Sequence, residues 1–178
     1  KRDMFPATVE IVRKLRPKSF LIENVKGLTR SSFANYFQYV LLQLEFPESV
    51  IKSNESWMEH FKRLQKVKTS KSEYSKGLIY NVVPTLVNAA DYGVPQKRER
   101  VFIVGFRNDL GVEWSFPKTT HSLDALLYSQ WVSGDYWEYH RISKKHRPSV
   151  PSRMGTRIQK IRDGLFLFTE KPWRTVRD

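Results

Sequence analysis

The chain has 178 residues, and 31 lysines and arginines against 18 aspartates and glutamates give it a formal charge of +13. Its apolar share, 40%, is well above that of chains too polar to collapse, so the length supports one domain with a core. There is no cysteine, which excludes disulfides, thiolate metal sites and a cysteine nucleophile within these residues, and no apolar run approaches the roughly 18 residues of a membrane span.

A pI near 10 suits a polyanionic partner, and nucleic acid is the commonest one. Charge alone favours that partner weakly over a basic surface with no such role. The opening KRDMFP lacks the apolar core of a signal peptide, so the cytoplasm is the expected location and no membrane partner is expected.

Met4 to Leu15 carries apolar residues near helical spacing at Phe5, Val9, Val12 and Leu15, with Asp3 placed to cap it. Pro6 is tolerable in a first turn, and Pro17 lies where a helix should stop. Ser19 to Ile22 reads as a strand. A helix feeding a strand in this way builds parallel sheets. Ser31 to Leu44 is aromatic-rich and predicts a helix, with Phe33, Phe37, Val40, Leu41 and Leu44 on one face and Pro47 after it.

Residues 48–77 are polar and lysine-rich, and read as a helix and exposed loop inserted into the core fold. Leu78 to Val87 and Val101 to Phe106 are β-prone. Leu123 to Trp137 predicts one aromatic helix, Ser143 to Ser152 has the composition of a linker, and Gly155 to Leu165 predicts a short basic helix.

The stretch Asp91-Tyr-Gly-Val-Pro-Gln-Lys-Arg-Glu-Arg-Val-Phe-Ile-Val-Gly-Phe106 joins the two later strands. An extended chain from Gln96 onward would set Gln96, Arg98 and Arg100 on one face, and Lys97 and Glu99 on the other. Two guanidiniums and an amide suit phosphate oxygens or base edges. Charge guarding an apolar strand against association gives the same pattern, and spacing alone favours that plainer origin.

Glu23 follows the first strand in Phe20-Leu-Ile-Glu-Asn-Val-Lys-Gly27. In open α/β sheets ligands bind outside the carboxyl ends of the strands. There a carboxylate can read the exocyclic amine of cytosine. It can equally just solvate a strand end or pair with an arginine, and position alone does not choose.

Other constellations fail. His60, His121, His140 and His146 lack metal-ligand spacing, so no metal is expected, and neither a glycine-rich phosphate loop nor a nucleophile elbow is present. Trp131, Tyr136 and Trp137 are placed to stack bases, but core packing is the commoner role for such residues.

Taken together, Glu23-Asn24-Val25 and the later Gln96-x-Arg98-x-Arg100 before an apolar strand resemble the cytosine-5 DNA methyltransferase family of the bacterial type. The likeness spans roughly residues 1–120. It implies an α/β fold: the C-terminal half of the doubly wound mixed sheet of a Rossmann-like class I methyltransferase domain. Residues 1–120 would hold that half, with 48–77 inserted. Residues 121–178 would be a helical and linker segment leading to a target-recognition region, with Trp173-Arg-Thr-Val-Arg-Asp178 as its lead-in.

The resemblance also implies a reaction, in which a cytosine is flipped out of double-stranded DNA and methylated at carbon 5 from S-adenosyl-L-methionine. By motif, Glu23 would hold ring nitrogen 3 and the amine. Arg100 would bind the base carbonyl and Arg98 would hold the geometry. Asn24 and Val25 would shape the pocket, and Gln96 would support the loop.

This sequence departs from the family in lacking its Pro-Cys nucleophile loop and glycine-rich cofactor motif, which in the family order precede Glu23. The chain is thus expected to be a piece, inactive alone, with a second chain or the remainder of a longer one supplying the missing half. The alternatives are a split-enzyme subunit, a non-catalytic DNA-binding remnant, and an RNA-modifying relative, against which Gln96-Lys-Arg-Glu-Arg100 argues mildly.

Overall fold

The computed structural model describes residues 3–70, 77–164 and 168–178, which form two compact units. Unit one comprises 1–86 and 100–116, and unit two comprises 87–99 and 117–178. The sequence suggested a boundary near residue 120; the second unit takes in Pro117–Asp178 together with the loop 87–99.

Unit one begins with helix α1, Phe5–Leu15. Asp3 Oδ1 accepts from the Phe5 N–H at 3.0 Å, satisfying one of the four amides a helix start leaves open. The helix stops at Arg16, which turns left-handed at φ 47° just before Pro17. Strand β1 then runs Ser19–Val25. The predicted strand stopped at Ile22; three more residues pair, so Glu23 lies within the strand, opposite Phe102.

Helix α2 spans Ala34–Glu45, starting three residues later than its apolar pattern because Ser31–Phe33 forms a 3-10 turn. Helix α3, Trp57–Thr69, opens with a reciprocal cap. The Glu59 N–H donates to Ser56 Oγ at 3.3 Å, and the Ser56 N–H donates back to Glu59 Oε2 at 2.8 Å. Its apolar face carries Phe61 and Leu64 onto Tyr39, Leu42 and Phe46, so the lysine-rich segment shares a core with α2. The exposed loop expected after it falls on 71–76, outside the described residues.

Strands β2, Tyr80–Asn88, and β3, Glu99–Arg107, complete a sheet of order β1-β3-β2. The parallel sheet expected at β1 is not formed with its neighbour: β1 and β3 are antiparallel, from Ser19↔Phe106 to Val25↔Arg100. The physical reason is the β2–β3 connection. A parallel return takes a crossover of roughly a dozen residues or more. The chain between Asn88 and Glu99 is too short for that, so β3 turns back and inserts between β1 and β2. Asn108 donates to the Ile79 carbonyl and Ala89 to the Arg98 carbonyl, at 2.9 and 3.0 Å, so β2 and β3 are antiparallel too.

The inner face of the sheet and the helices enclose a core of Phe5, Val9, Val12, Val40, Leu44, Tyr80, Val101 and Ile103. Phe20 lies across Gly105, its partner on β3, and stacks beside Tyr80 at 5.1 Å.

In unit two the single helix expected over Leu123–Trp137 is two helices, α4 at Leu123–Trp131 and α5 at Asp135–Tyr139. Gly134, left-handed at φ 87°, separates them. Helix α6 covers Gly155–Asp163, ending short of Leu165, which is outside the described residues. Leu127, Ile158 and Ile161 form the core between α4 and α6. Two short strands, β4 at His121–Ser122 and β5 at Lys171–Pro172, pair in parallel. The linker segment 143–152 holds a 3-10 turn at Lys144–His146 and is otherwise irregular up to Pro151.

Candidate functional site

Side chains alternate along a strand, so Leu21, Glu23 and Val25 share the outward face of β1, while Phe20, Ile22 and Asn24 face the core. Arg100 pairs opposite Val25, one diagonal step from Glu23. Its Nε lies 2.7 Å from Glu23 Oε1, with the two side chains 26% and 49% exposed respectively. Acid and base therefore meet on the outer face of the sheet toward its exposed β1 edge, 77 positions apart in sequence and held by the β1–β3 register.

The pair can act as one recognition element. A carboxylate accepts and a guanidinium donates. Together they present an acceptor beside a donor to any planar polar ring laid across the face. An ion pair this exposed contributes about 0–1 kcal/mol, so a ligand can displace it at little cost.

Asn24 departs from the expected arrangement. It alternates onto the core-facing side opposite Val101, and its Oδ1 accepts from the Val25 N–H at 2.8 Å. Val25 stays on the Glu23 face. Gln96 and Arg98 belong to unit two, so Arg100 alone of the three donors stands in the unit of Glu23. The chain from Gln96 is not extended: Pro95 and Gln96 form a bend, with the Gln96 N–H 2.7 Å from the Val94 carbonyl, and β3 begins at Glu99. Gln96 thus sits in a bend, outside the strand that carries Arg100. The Arg98 N–H donates to Asn88 Oδ1 at 3.1 Å, which closes the loop at its base.

Sequence reading missed the residues that pin this loop within unit two. Trp173 Nε1–H donates to Asp91 Oδ1 at 2.9 Å, the Thr120 N–H donates to the Asp91 carbonyl at 2.9 Å, and the Tyr92 hydroxyl donates to the Pro117 carbonyl at 2.9 Å. The His121 ring lies against Gly93, whose φ of 86° suits glycine. Burial, then the charges of Arg174 and Lys171, hold the His121 pKa below its ordinary value.

Comparison with known proteins gives this geometry a family. The sequence model for C-5 cytosine-specific DNA methylase matches residues 1–48 and 53–163. The chain belongs to that family. Its α/β unit is accordingly part of a Rossmann-like methyltransferase domain. Among its relatives, Type II methyltransferase M.AquIA of Picosynechococcus sp. is 35% identical over 113 residues, 64% of this chain and 36% of the relative. Type II methyltransferase M.MthTI of Methanothermobacter thermautotrophicus is 38% identical over 114 residues, 64% of this chain and 25% of the relative. Type II methyltransferase M.BspRI of Lysinibacillus sphaericus is 57% identical over a shorter 42 residues, 24% of this chain and 10% of the relative. The methylase-family chain thus matches about a third or less of the length of these relatives.

The family implies S-adenosyl-L-methionine as methyl donor. The family's glycine-rich cofactor motif would place a glycine turn between a strand and a helix. The described left-handed glycines are Gly77, Gly93, Gly111 and Gly134. Gly77 leads into a strand, Gly93 and Gly111 end 3-10 turns, and Gly134 divides two helices. The described residues do not by themselves fit the cofactor. No described helix is long and apolar enough to cross a membrane.

Proposed function

We propose that this chain is the cytosine-binding part of a DNA (cytosine-5-)-methyltransferase of restriction-modification type, acting on double-stranded DNA in the cytoplasm at the nucleoid. The observation that carries this reading is the Glu23–Arg100 pair at 2.7 Å toward the exposed β1 edge of the sheet. A flipped cytosine offers an amine donor, a ring acceptor and a carbonyl acceptor along one edge. Glu23 takes the amine and, when protonated, donates to ring nitrogen 3; Arg100 donates to the carbonyl. Protonating or hydrogen-bonding nitrogen 3 draws electrons from carbon 6 and opens it to a nucleophile. Val25 supports the base from the same face. Gln96 and Arg98 serve through the loop at the base of β3, and Asn24 holds the backbone rather than the base.

Covalent catalysis needs a nucleophile, and these 178 residues contain no cysteine. The thiol and the cofactor cradle must come from a further polypeptide segment, in the same protein or a second chain. The outward faces of unit one support such a covering body. Leu21 and Val25 on β1 are 65% and 57% exposed, and Ile11 and Leu15 on α1, with Met4 just before it, are bare as well. The isolated chain transfers no methyl group.

The test is tritiated-methyl incorporation into duplex DNA by the chain joined to a segment supplying the Pro-Cys loop and cofactor motif. Glu23→Gln and Arg100→Ala should each lower incorporation by about a hundredfold or more. Unchanged incorporation in Glu23→Gln, or turnover by the isolated 178 residues, overturns the reading. Duplex binding without any such activity would leave a non-catalytic DNA-binding remnant.

A further inference from the structure

Two residues other than glycine have a left-handed backbone among those described, and both are arginines, Arg16 and Arg141. For Arg16 the surroundings give the reason: its guanidinium holds Glu48 at 2.5 Å, and its carbonyl accepts from Arg107 Nη1 at 2.9 Å. For Arg141 they do not. It sits just past α5, where the Ile142 N–H reaches back to the Trp137 carbonyl at 2.8 Å and the Arg141 N–H to Glu138 at 3.0 Å. That pattern is a Schellman turn, whose left-handed position glycine normally fills. At φ 54°, Arg141 carries a side chain there against preference.

What the side chain gains is a place on a cavity of about 490 Å³ within unit two. Arg141, Arg177, His146 and Ser143 line it, with Tyr136 and Trp137 as aromatic wall and no carboxylate among the lining residues. Neither arginine has an ion pair among the described residues. The Tyr136 hydroxyl and Thr175 Oγ1 are 2.9 Å apart, and Asp178 Oδ2 accepts from the Thr175 N–H at 2.5 Å. These bonds fasten the Arg177 turn beside α5. Ser143 Oγ lies 2.9 Å from His146 Nδ1. With the hydroxyl donating, the ring proton sits on Nε2, a third donor.

We propose that this cavity holds a backbone phosphate of double-stranded DNA, bound by Arg141 and Arg177 with His146 in support. The inference rests on the proposed action on DNA. It adds a contact that positions the duplex without reading its sequence. Two unpaired guanidiniums around a carboxylate-free cavity match a phosphodiester in charge and in donor geometry.

The test is Arg141→Gly, because glycine is the residue the backbone prefers there, so the variant keeps the fold. Its thermal midpoint should rise above that of the unaltered chain. Its affinity for a labelled 20-base-pair duplex should fall, with the slope of log affinity against log salt smaller by about 0.9, one phosphate contact. Arg177→Ala should match it in affinity and slope, and Arg153→Ala, outside the cavity, should change neither. An unchanged slope in Arg141→Gly, or an equal loss in Arg153→Ala, overturns the pocket while leaving DNA binding intact. Displacement of the duplex by inorganic phosphate at constant ionic strength assigns the cavity to a small anion and also overturns it. No duplex binding by the unaltered chain removes both the pocket and the reading it rests on.

Discussion

The ring of Phe20 on β1 occupies the space a side chain would need at Gly105 on β3: a Cβ built there falls 2.2 Å from the ring's Cζ. The contact is between register partners, so it ties the strand that carries Glu23 to the strand that carries Arg100. Gly105→Ala should therefore destabilise by about 1–3 kcal/mol, as overpacking of a close-packed site does. Urea unfolding gives the value, and Phe20→Leu in the same chain should recover part of it. Equal midpoints for Gly105→Ala and the unaltered chain would show that the ring moves freely.

Buried His60 sets an acid limit on stability. Its ring bridges the Tyr39 hydroxyl at Nδ1, 2.8 Å, and the Ser49 carbonyl at Nε2, 2.7 Å. Burial lowers its pKa, so the folded state favours the neutral ring. The unfolded chain then binds more protons once the pH drops below about 6.5, and stability present above that pH is lost as it falls. Arg63, bound to both oxygens of Glu55, holds that carboxyl down at about 2, so a second loss follows between about 4.5 and 2. Urea midpoints measured from pH 8 to 4 should decline in His60-containing chain and stay flatter from 8 to 5 in His60→Phe.

Asp91 and Trp173, joined at 2.9 Å, should behave as a unit. Asp91→Ala and Trp173→Phe each remove one partner of a half-buried bond and should destabilise by about 1 kcal/mol or more. The double variant should lose less than the sum, by about 0.5 kcal/mol or more, in a thermodynamic cycle. Additive losses would mean that the bond contributes nothing to pinning the loop.

The bare face of β1 predicts association. Leu21→Glu and Val25→Lys should raise the monomer fraction in sedimentation velocity, because charge on an unpaired edge blocks strand addition. Joining the segment that supplies the Pro-Cys loop should suppress association as well, and render the two substitutions destabilising.

Local signals were the legible ones. Strands β1 and β3 are announced by their apolar runs, because side-chain pattern acts over a few residues. The Glu23–Arg100 pair was legible through its two motifs, whose meeting depends on a register that no local pattern sets. Sheet direction was not legible, since it followed from the length of the β2–β3 connection rather than from β1 itself. The break at Gly134 carried a turn signal, Ser133-Gly134, that the aromatic run on either side outweighed. The Asp91–Trp173 bond crosses 82 positions and involves ordinary residue types, so nothing in the sequence marks it.

The β1–β3 register also sets a timetable. Val25 meets Arg100 and Ser19 meets Phe106, so β1 leaves the ribosome some 75 to 87 residues before its partner. At about 5–20 residues per second that delay is roughly 4 to 17 s. By its end α1, α2 and α3 have all been made, while Leu21 and Val25 still stand on a strand without its β3 partner. The acid that the proposed chemistry depends on is thus made well before the strand that fixes it in place, and a chaperone acting on the nascent chain would find β1 waiting.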